Sequence, residues 1–165
     1  MAEHSEKIFV ALIQENTGII HKVINLYVDA PEDRRDLKQE ILLQAWKSYA
    51  RFEGKSAFST WLYRISLNTV LTFRRKATPE VLPLSRNDTT QTTQPANLEN
   101  KDLLFHAIRQ LGEVDRMIIT LHLEGYRNPE IADITGLKIN HLNVKLHRIK
   151  KQIVSQLKKD TYGLT

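Results

Sequence analysis

Basic residues gather in two windows of this sequence that contain no acidic residue. Residues 138–159 hold seven basic side chains, and residues 54–79 hold five. Over the whole chain, lysine and arginine outnumber aspartate and glutamate by 24 to 19, so the net charge of +5 is concentrated in these windows. Because concentrated positive charge attracts polyanions, the sequence predicts two separate contacts with a polyanionic partner.

The stretch from residue 126 to 153 predicts a helix-turn-helix. Asn128 can cap a helix, Pro129 suits its first position and Glu130 complements the positive end of its dipole. Gly136 accepts the left-handed conformation found just past a helix end, so a second helix should follow within a few residues. The second helix would bury an apolar stripe formed by Leu142, Leu146, Ile149 and Ile153.

The opposite face of this second helix has the composition of a helix that binds the DNA major groove. Amides and guanidinium suit base edges, lysines suit phosphates, and an apolar side chain suits a thymine methyl. At about 100° per residue, the face presents His141, Val144, His147, Arg148 and Lys151, with Asn143 and Lys145 on its flanks. Val144 is either a base contact or a lone exposed apolar residue. The two histidines lack metal-ligand companions, so a zinc site is not indicated.

A helix predicted over residues 37–49 has one apolar and one mixed side. The apolar side consists of Leu37, Ile41, Leu42, Ala45, Trp46 and Tyr49, which we expect to be buried. The other side presents Asp36, Gln39, Glu40, Leu43 and Lys47. An exposed leucine ringed by acid, amide and lysine is typical of a protein-docking surface, although a merely solvated face remains the alternative.

The next predicted helix lies within the second basic window. We expect it to bury Leu62, Ile65, Thr69 and Phe73. Its other side presents Trp61, Arg64, Asn68 and Arg75 at intervals of three, four and seven residues. An aromatic ring, an amide and two guanidiniums along one ridge suit unpaired bases and phosphates.

These elements predict an all-α protein of two small domains. Apolar residues recur at helical intervals over 8–28, 37–49 and 58–73, and again over 103–157, without sustained alternation. Residues 77–98 contain three prolines and five threonines, which is the composition of a flexible linker. We therefore divide the chain into three parts, namely a domain over 1–76, a linker over 77–98 and a helix-turn-helix domain over 99–165.

Several function classes are disfavoured by what the sequence lacks. It has no cysteine, hence no disulfide and no thiolate zinc site. The N-terminus resembles no signal peptide and no apolar run approaches 18 residues, which argues for a cytoplasmic protein. We find no phosphate-cradling glycine loop, no HExxH and no carboxylate cluster suited to a catalytic metal. The sequence predicts no enzyme, no cofactor and no small-molecule substrate.

Five segments together carry a family resemblance. "DLKQEILLQAW", "RFEGKSAFSTWLYRISLN", a polar linker, "EIADITGL" and "KLHRIKK" resemble, in this order, the extracytoplasmic-function group of bacterial sigma factors in the sigma-70 family. The resemblance implies a sigma-2 domain that docks on the β′ coiled coil of core RNA polymerase and captures a base flipped from the −10 element of promoter DNA. It implies a sigma-4 domain that binds the −35 element and the β flap, and an anti-sigma factor, often membrane-anchored, as a further partner.

The resemblance also assigns contact residues. Polymerase docking falls on Asp36, Gln39, Glu40 and Leu43. Contacts to −10 DNA fall on Ser56, Phe58, Ser59, Thr60 and Asn68. Trp61 matches a family tryptophan and is either a base-stacking residue or part of the core. The ridge read from helical spacing adds Arg64 and Arg75 to the predicted −10 contacts. Contacts to −35 DNA fall on His141, Asn143, Val144, His147 and Arg148, with Lys145 and Arg116 on phosphates.

This chain departs from the family pattern at four places. Lys138 replaces a usual serine, so we expect the recognition helix to begin later, with Asn140 as its cap. Asn143 replaces a usual basic residue and Val144 a small polar one, which predicts a different −35 preference. Gly112 replaces a usual proline, which weakens the preset start of the helix that follows.

Two function classes remain beside the sigma factor. A stand-alone helix-turn-helix regulator would explain residues 126–153, but it would leave the Leu43 surface and the Trp61 to Arg75 ridge without a purpose. An adaptor that only binds proteins would lack the salt-dependent DNA affinity that the two basic windows predict.

Overall fold

The computed structural model describes residues 2–77 and 100–163, and these residues form eight α-helices and no strand. The all-α prediction is thereby confirmed. The helices are α1 (Ala2–Glu15), α2 (Thr17–Tyr27), α3 (Pro31–Tyr49), α4 (Phe58–Ala77), α5 (Asn100–Arg109), α6 (Glu113–Leu123), α7 (Asn128–Thr135) and α8 (Ile139–Tyr162). They divide between two compact units. The first contains α1 to α4, and the second contains α5, α6, α8 and the first five residues of α7. Almost all of the predicted linker lies outside the described residues.

The core of the first unit forms where α2, α3 and α4 pack against one another. Each of these helices contributes apolar side chains that are almost fully buried: Ile20, Val23, Ile24, Leu37, Ile41, Ala45, Leu62, Tyr63, Leu67 and Val70. Burial of such side chains supplies most of the free energy that holds small helical units together. Pro31 is the first residue of α3, since its fixed φ suits a first turn.

A helix break at Asn16 was not predicted, because the apolar spacing runs on from residue 8 to 28. The Asn16 side chain donates to the Leu12 carbonyl (2.8 Å), and the Thr17 hydroxyl donates to the Ile13 carbonyl (2.9 Å). Short polar side chains of this kind compete with the backbone for helix hydrogen bonds. The helix therefore ends at Glu15, and α2 begins at Thr17.

The buried side of α4 differs from the predicted one. Leu62 is buried as expected, but Ile65, Thr69 and Phe73 are only half-buried. The buried positions are instead Thr60, Leu62, Tyr63, Ser66, Leu67 and Val70. Since α4 packs against both α2 and α3, it buries a wider arc than a helix with one neighbour, and that arc is turned toward Tyr63 and Val70.

Trp46 was predicted to be buried, and that prediction is wrong. Its side chain is 43% exposed. One face of the ring is covered by Phe9 of α1, with ring centroids 5.0 Å apart. Leu37, Ile41 and Ala45 of the same predicted side are buried. Trp46 lies at the margin of this side, against Phe9 of α1.

The second unit is organised around α8, which packs against α5 and α6. Its predicted stripe is confirmed, since Leu142, Leu146, Ile149 and Ile153 are all buried. Gly136 has a φ of 76° after α7, as the turn requires. The predicted cap at Asn140 is wrong, because α8 begins at Ile139 with Lys138 in the cap position. Leu142 N–H donates to the Lys138 carbonyl at 2.9 Å, which extends the helix back to that point.

The start of α7 is closed by Glu130 rather than by Asn128. The Glu130 carboxylate accepts the backbone N–H of Arg127 at 2.8 Å, and Ile131 N–H donates to the Arg127 carbonyl at 3.0 Å. A carboxylate that accepts the cap residue's own N–H is one half of a capping box. Asn128 is the first helical residue, and its side chain bonds to α8 instead.

Candidate polymerase-docking and nucleic-acid surfaces

The outward side of α3 carries the four residues predicted to dock on polymerase. Residues three and four apart share a helix face, and all four of these side chains are exposed: Asp36, Gln39, Glu40 and Leu43. Leu43 is 46% exposed. Glu40 accepts a hydrogen bond from Gln44 Nε2 at 2.7 Å, which holds its carboxylate against the helix. We call these four residues the α3 face, which combines one apolar side chain with acid and amide groups.

Trp61 belongs to an aromatic cluster at the start of α4. Its ring centroid lies 5.0 Å from that of Phe52, 5.2 Å from Phe58 and 6.3 Å from Tyr49. Phe9 extends the cluster, 5.0 Å from Tyr49. These rings join α1, the end of α3, the following loop and α4. Trp61 is half-buried, so packing accounts for one part of its ring and leaves another part at the surface.

Four further residues predicted for −10 DNA, namely Ser56, Phe58, Ser59 and Thr60, lie in the loop and first turn of α4, where Phe58 is itself part of this cluster. Ser56, Phe58 and Ser59 are half-buried. Thr60 is only 5% exposed, so its side chain faces the interior and we leave it out of the candidate surface. Phe52 of the loop packs against Phe58 and Trp61, so the aromatic cluster joins the loop to α4.

Farther along α4, three exposed side chains form a line that we call the α4 ridge: Arg64, Asn68 and Arg75. Spacings of four and seven residues place them on one side of the helix. Arg75 donates from Nε to the Leu71 carbonyl at 3.4 Å and from Nη2 to Thr72 Oγ1 at 3.5 Å, so its guanidinium lies along the helix surface. Arg64 and Asn68 project from the middle of α4 in an acid-free stretch, which suits contact with a strand of nucleic acid.

The outer side of α8, which we call the α8 face, presents four of the residues predicted for −35 DNA: His141, Val144, His147 and Arg148, all exposed. Val144 is 51% exposed and lies opposite the buried stripe. A helix with one apolar, two imidazole and one guanidinium group outward can enter a major groove, while its buried stripe holds it to α5 and α6.

Both flanks of α8 are tied to neighbouring helices. Asn143 Oδ1 accepts a hydrogen bond from Asn128 Nδ2 of α7 at 2.8 Å. On the other flank, Lys145 Nζ lies 2.9 Å from Asp115 Oδ1 of α6. Arg116, also predicted for phosphate, is half-buried and donates from Nε to the Leu111 carbonyl at 2.9 Å. The two predicted phosphate contacts thus already bond within the unit.

Asn128 and Asp115 are the residues near this surface that the sequence did not identify as functional. Asn128 was assigned to capping, and Asp115 is 30 positions from its partner along the chain. Helical spacing relates residues within one helix, so neither cross-helix contact could be read from it. The acid-free window around α8 gave no reason to look for an acid in α6.

The imidazole of His122, on α6, has a displaced pKa. Burial lowers the pKa of its imidazole below the ordinary 6.5, and the positive charge of Lys150 on α8 lowers it further. Both effects disfavour the imidazolium. Both therefore favour the neutral imidazole, on a helix that packs against α8.

Residues 2–77 and 100–163 contain neither a metal-ligating cluster nor a membrane-spanning helix. No three side chains of the metal-ligating types come together there. None of the helices in these ranges combines the length and the apolar character needed to span a bilayer.

Family models match both units in the order of the predicted domains. The model described as Sigma-70 region 2 matches residues 12–80, and the one described as Sigma-70, region 4 matches residues 101–153. Together these ranges cover well over half of the chain. The chain belongs to the sigma-70 family.

Curated relatives of this sigma factor carry the name of one group within the family. The ECF RNA polymerase sigma-E factor of Escherichia coli strain K12 is 29% identical over 164 residues, which cover 90% of this chain and 85% of the relative. The protein of the same name from Haemophilus influenzae is 27% identical, with 92% and 88% of the two chains covered. The extracytoplasmic-function resemblance is thereby confirmed.

Two solved structures share the fold of this sigma factor. CnrH, solved in complex with the cytosolic domain of CnrY, gives a TM-score of 0.67 at 19% identity, covering 94% of this chain and 90% of CnrH. RpoE from Bartonella quintana, solved with the anti-sigma factor NepR, gives 0.65 at 19% identity, covering 96% and 98%.

Proposed function

We propose that this sigma factor binds core RNA polymerase and directs it to a specific class of promoters, where transcription starts. The observation that carries the proposal is the ordered match of two sigma-70 regions to two helical units. Each unit also exposes contact residues that the sequence predicts for its role. The work is binding rather than catalysis, since the family is not a class of enzymes.

Docking on polymerase is assigned to the α3 face, with Leu43 as its apolar centre. Exposed apolar side chains surrounded by polar ones are typical of protein interfaces, in which the buried centre supplies most of the binding energy. Asp36 and Glu40 add negative charge that would complement a basic partner surface. The partner proposed is the β′ coiled coil, and the second unit is proposed to contact the β flap.

Promoter opening is assigned to the first unit. We propose that the loop and first turn at Ser56, Phe58 and Ser59 accept a flipped base of the −10 element. The exposed edge of the Trp61 ring would lie beside the DNA strand that carries this base. Arg64, Asn68 and Arg75 of the α4 ridge would follow the strand, since guanidinium and amide groups bind phosphates and base edges. Trapping unpaired bases would then supply the free energy that opens the duplex.

Recognition of the −35 element is assigned to the α8 face and Asn143. Arg148 suits guanine, Asn143 suits a base edge, and Val144 suits a thymine methyl. His141 and His147 would add donors to the same groove. Lys145 and Arg116 stay proposed phosphate contacts, although each would have to share or exchange its present partner.

A protein partner that covers the sigma factor is proposed as its regulator. CnrH and RpoE were solved as complexes, the latter with a named anti-sigma factor. We propose an anti-sigma factor of this kind, membrane-anchored as in many members of the family, and a cytoplasmic site of action where polymerase and promoter DNA are found.

The alternative function is a stand-alone helix-turn-helix regulator, which would use the α8 face alone. Co-purification with core polymerase separates the two, because a regulator of that kind has no need of the α3 face. We expect Leu43→Asp to weaken core binding at least about tenfold while the free energy of unfolding changes by less than about 0.5 kcal/mol. Val10→Asp is the matched control, since Val10 is 44% exposed on α1 and lies outside the α3 face.

Two results of this binding experiment would contradict the proposal. If wild-type chain and both variants bind core polymerase equally weakly, docking is absent and the regulator explains the protein better. An equal loss of core binding in Leu43→Asp and Val10→Asp would instead contradict the assignment of docking to the α3 face.

A further inference from the structure

Asn128 and Asn143 join the two helices of the helix-turn-helix through their side-chain amides. Asn128 Nδ2 donates to Asn143 Oδ1 at 2.8 Å. Asn128 is the first residue of α7 and Asn143 lies in the second turn of α8. The proposed function does not use this bond, and the family pattern that the sequence resembles has a basic residue at position 143.

The bond decides which end of the Asn143 amide faces outward. A primary amide has one end that only accepts hydrogen bonds and one end that only donates them. Asn143 lies about 90° around α8 from the buried stripe, between α7 and the exposed α8 face. With its oxygen turned toward Asn128, its NH₂ group is the end left for a ligand.

The α7 end of this contact is itself held in place. Arg127, directly before Asn128, donates its backbone N–H to Glu130 at 2.8 Å, and its guanidinium Nε lies 3.7 Å from the same carboxylate. Pro129 directly follows Asn128 and fixes its own φ. The backbone of Asn128 is therefore constrained on both sides, so its side chain is a stable reference point for Asn143.

We propose that Asn128 is a positioning residue that sets the base preference of Asn143 by holding its amide with the NH₂ group toward the DNA. This inference rests on the proposed function, in which α8 enters the major groove. A donor selects the acceptors of guanine (O6 and N7) or thymine (O4), and it disfavours the cytosine N4 amino group, which is itself a donor. A freely rotating asparagine would lack this bias.

Replacing Asn128 by aspartate should reverse the preference. A carboxylate only accepts hydrogen bonds, so Asn143 would have to turn its NH₂ group toward Asp at position 128. Its oxygen would then face the groove and favour cytosine over guanine or thymine. Asn128→Ala should release the amide and reduce the preference without reversing it.

The test is selection of −35 sequences from randomised promoter DNA by the full chain bound to core polymerase. At one base position we expect Asn128→Asp to shift the ratio of guanine or thymine to cytosine by about three- to tenfold, the effect of one hydrogen bond. Asn140→Asp is the matched control. It introduces the same negative charge in the first turn of α8, at a residue that takes no part in the Asn128–Asn143 hydrogen bond. Asn143→Ala should remove the preference at that position in every background.

Each outcome decides one claim. An unchanged preference in Asn128→Asp and Asn128→Ala, with wild type selecting a clear −35 sequence, overturns the positioning role and leaves the proposed function intact. The same shift in Asn140→Asp also overturns it, since charge alone would then explain the result. If wild-type holoenzyme selects no −35 sequence, the proposed function fails and the positioning role falls with it.

Discussion

Lys145 Nζ and Asp115 Oδ1 form an ion pair at 2.9 Å that ties the flank of α8 to the first turn of α6. The two side chains are 31% and 25% exposed, so water screens them less than a surface pair. Asp115 is also favoured by its place near the positive end of the α6 dipole. The lysine predicted to bind DNA phosphate is thus balanced by an acid of its own domain.

This pairing predicts that Asp115→Asn has opposite effects on DNA affinity and on stability. Loss of the carboxylate frees Lys145 for phosphate, so affinity for promoter DNA should rise about threefold at low salt. The free energy of unfolding should fall by about 0.5–1 kcal/mol, in the range of a modest ion pair. DNA titration and thermal denaturation measure the two quantities on one sample.

Asp160→Asn serves as the control for that experiment, because it removes the same charge near the far end of α8. We expect it to change DNA affinity by less than Asp115→Asn does. Equal gains from both variants would mean that net charge, and not release of Lys145, sets the affinity.

The sequence predicted the second unit well because its main signals lie within single helices. The spacing of Leu142, Leu146, Ile149 and Ile153 defines the buried side of α8, and its outer side follows by rotation. Contacts between side chains of different helices leave no such spacing pattern in the sequence. The partners of Lys145 and Asn143 lie in α6 and α7, and no periodicity links them.

We expect Trp61 to contribute more to the free energy of unfolding than to base stacking on DNA. It packs against three other rings, so Trp61→Ala should lower the free energy of unfolding by about 2 kcal/mol, below the cost of a fully buried tryptophan. Trp61→Phe keeps most of these ring contacts and should cost less than half as much. Chemical denaturation followed by circular dichroism measures both.

Trp46→Ala is the natural comparison, since Trp46 is more exposed than Trp61 and, within the described residues, packs against the single ring of Phe9. It should be less destabilising than Trp61→Ala. If Trp61→Ala leaves stability unchanged while promoter opening is lost, then Trp61 serves the DNA and not the aromatic cluster.

In the first unit, the sequence predicted which segments are helical better than which side of each helix is buried. Leu43 faces outward as expected, because Leu37, Ile41 and Ala45 are buried on the opposite side of α3. For α4, a stripe through Ile65 and Phe73 was expected, yet two neighbouring helices turn the buried arc toward Tyr63 and Val70. How many neighbours a helix has is a property of the tertiary fold, and the spacing of one helix does not contain it.

His122 predicts a pH dependence of stability. Its pKa is lowered in the folded state, so the unfolded chain binds more protons at pH values just below 6.5. Stability should therefore fall as the pH drops from 6.5 through the folded pKa, and it should be level above that window. Thermal denaturation between pH 5 and 7.5, together with NMR titration of the imidazole, measures this slope and the pKa itself.

Two variants check the cause of that slope. His122→Gln should remove this part of the pH dependence, and Lys150→Gln should make it shallower by removing the smaller of the two effects on the pKa. A slope that persists unchanged in His122→Gln would assign the pH dependence to another group.

Promoter-specific initiation is tested most directly by run-off transcription with purified core RNA polymerase from the source organism. Fragmented genomic DNA from that organism supplies the templates, and the start sites are mapped. We predict discrete transcripts that require this chain and no other sigma factor, with start sites that share a −10 and a −35 sequence. Transcripts that appear only when a second sigma factor is added, or none above the level of core polymerase alone, would contradict the account.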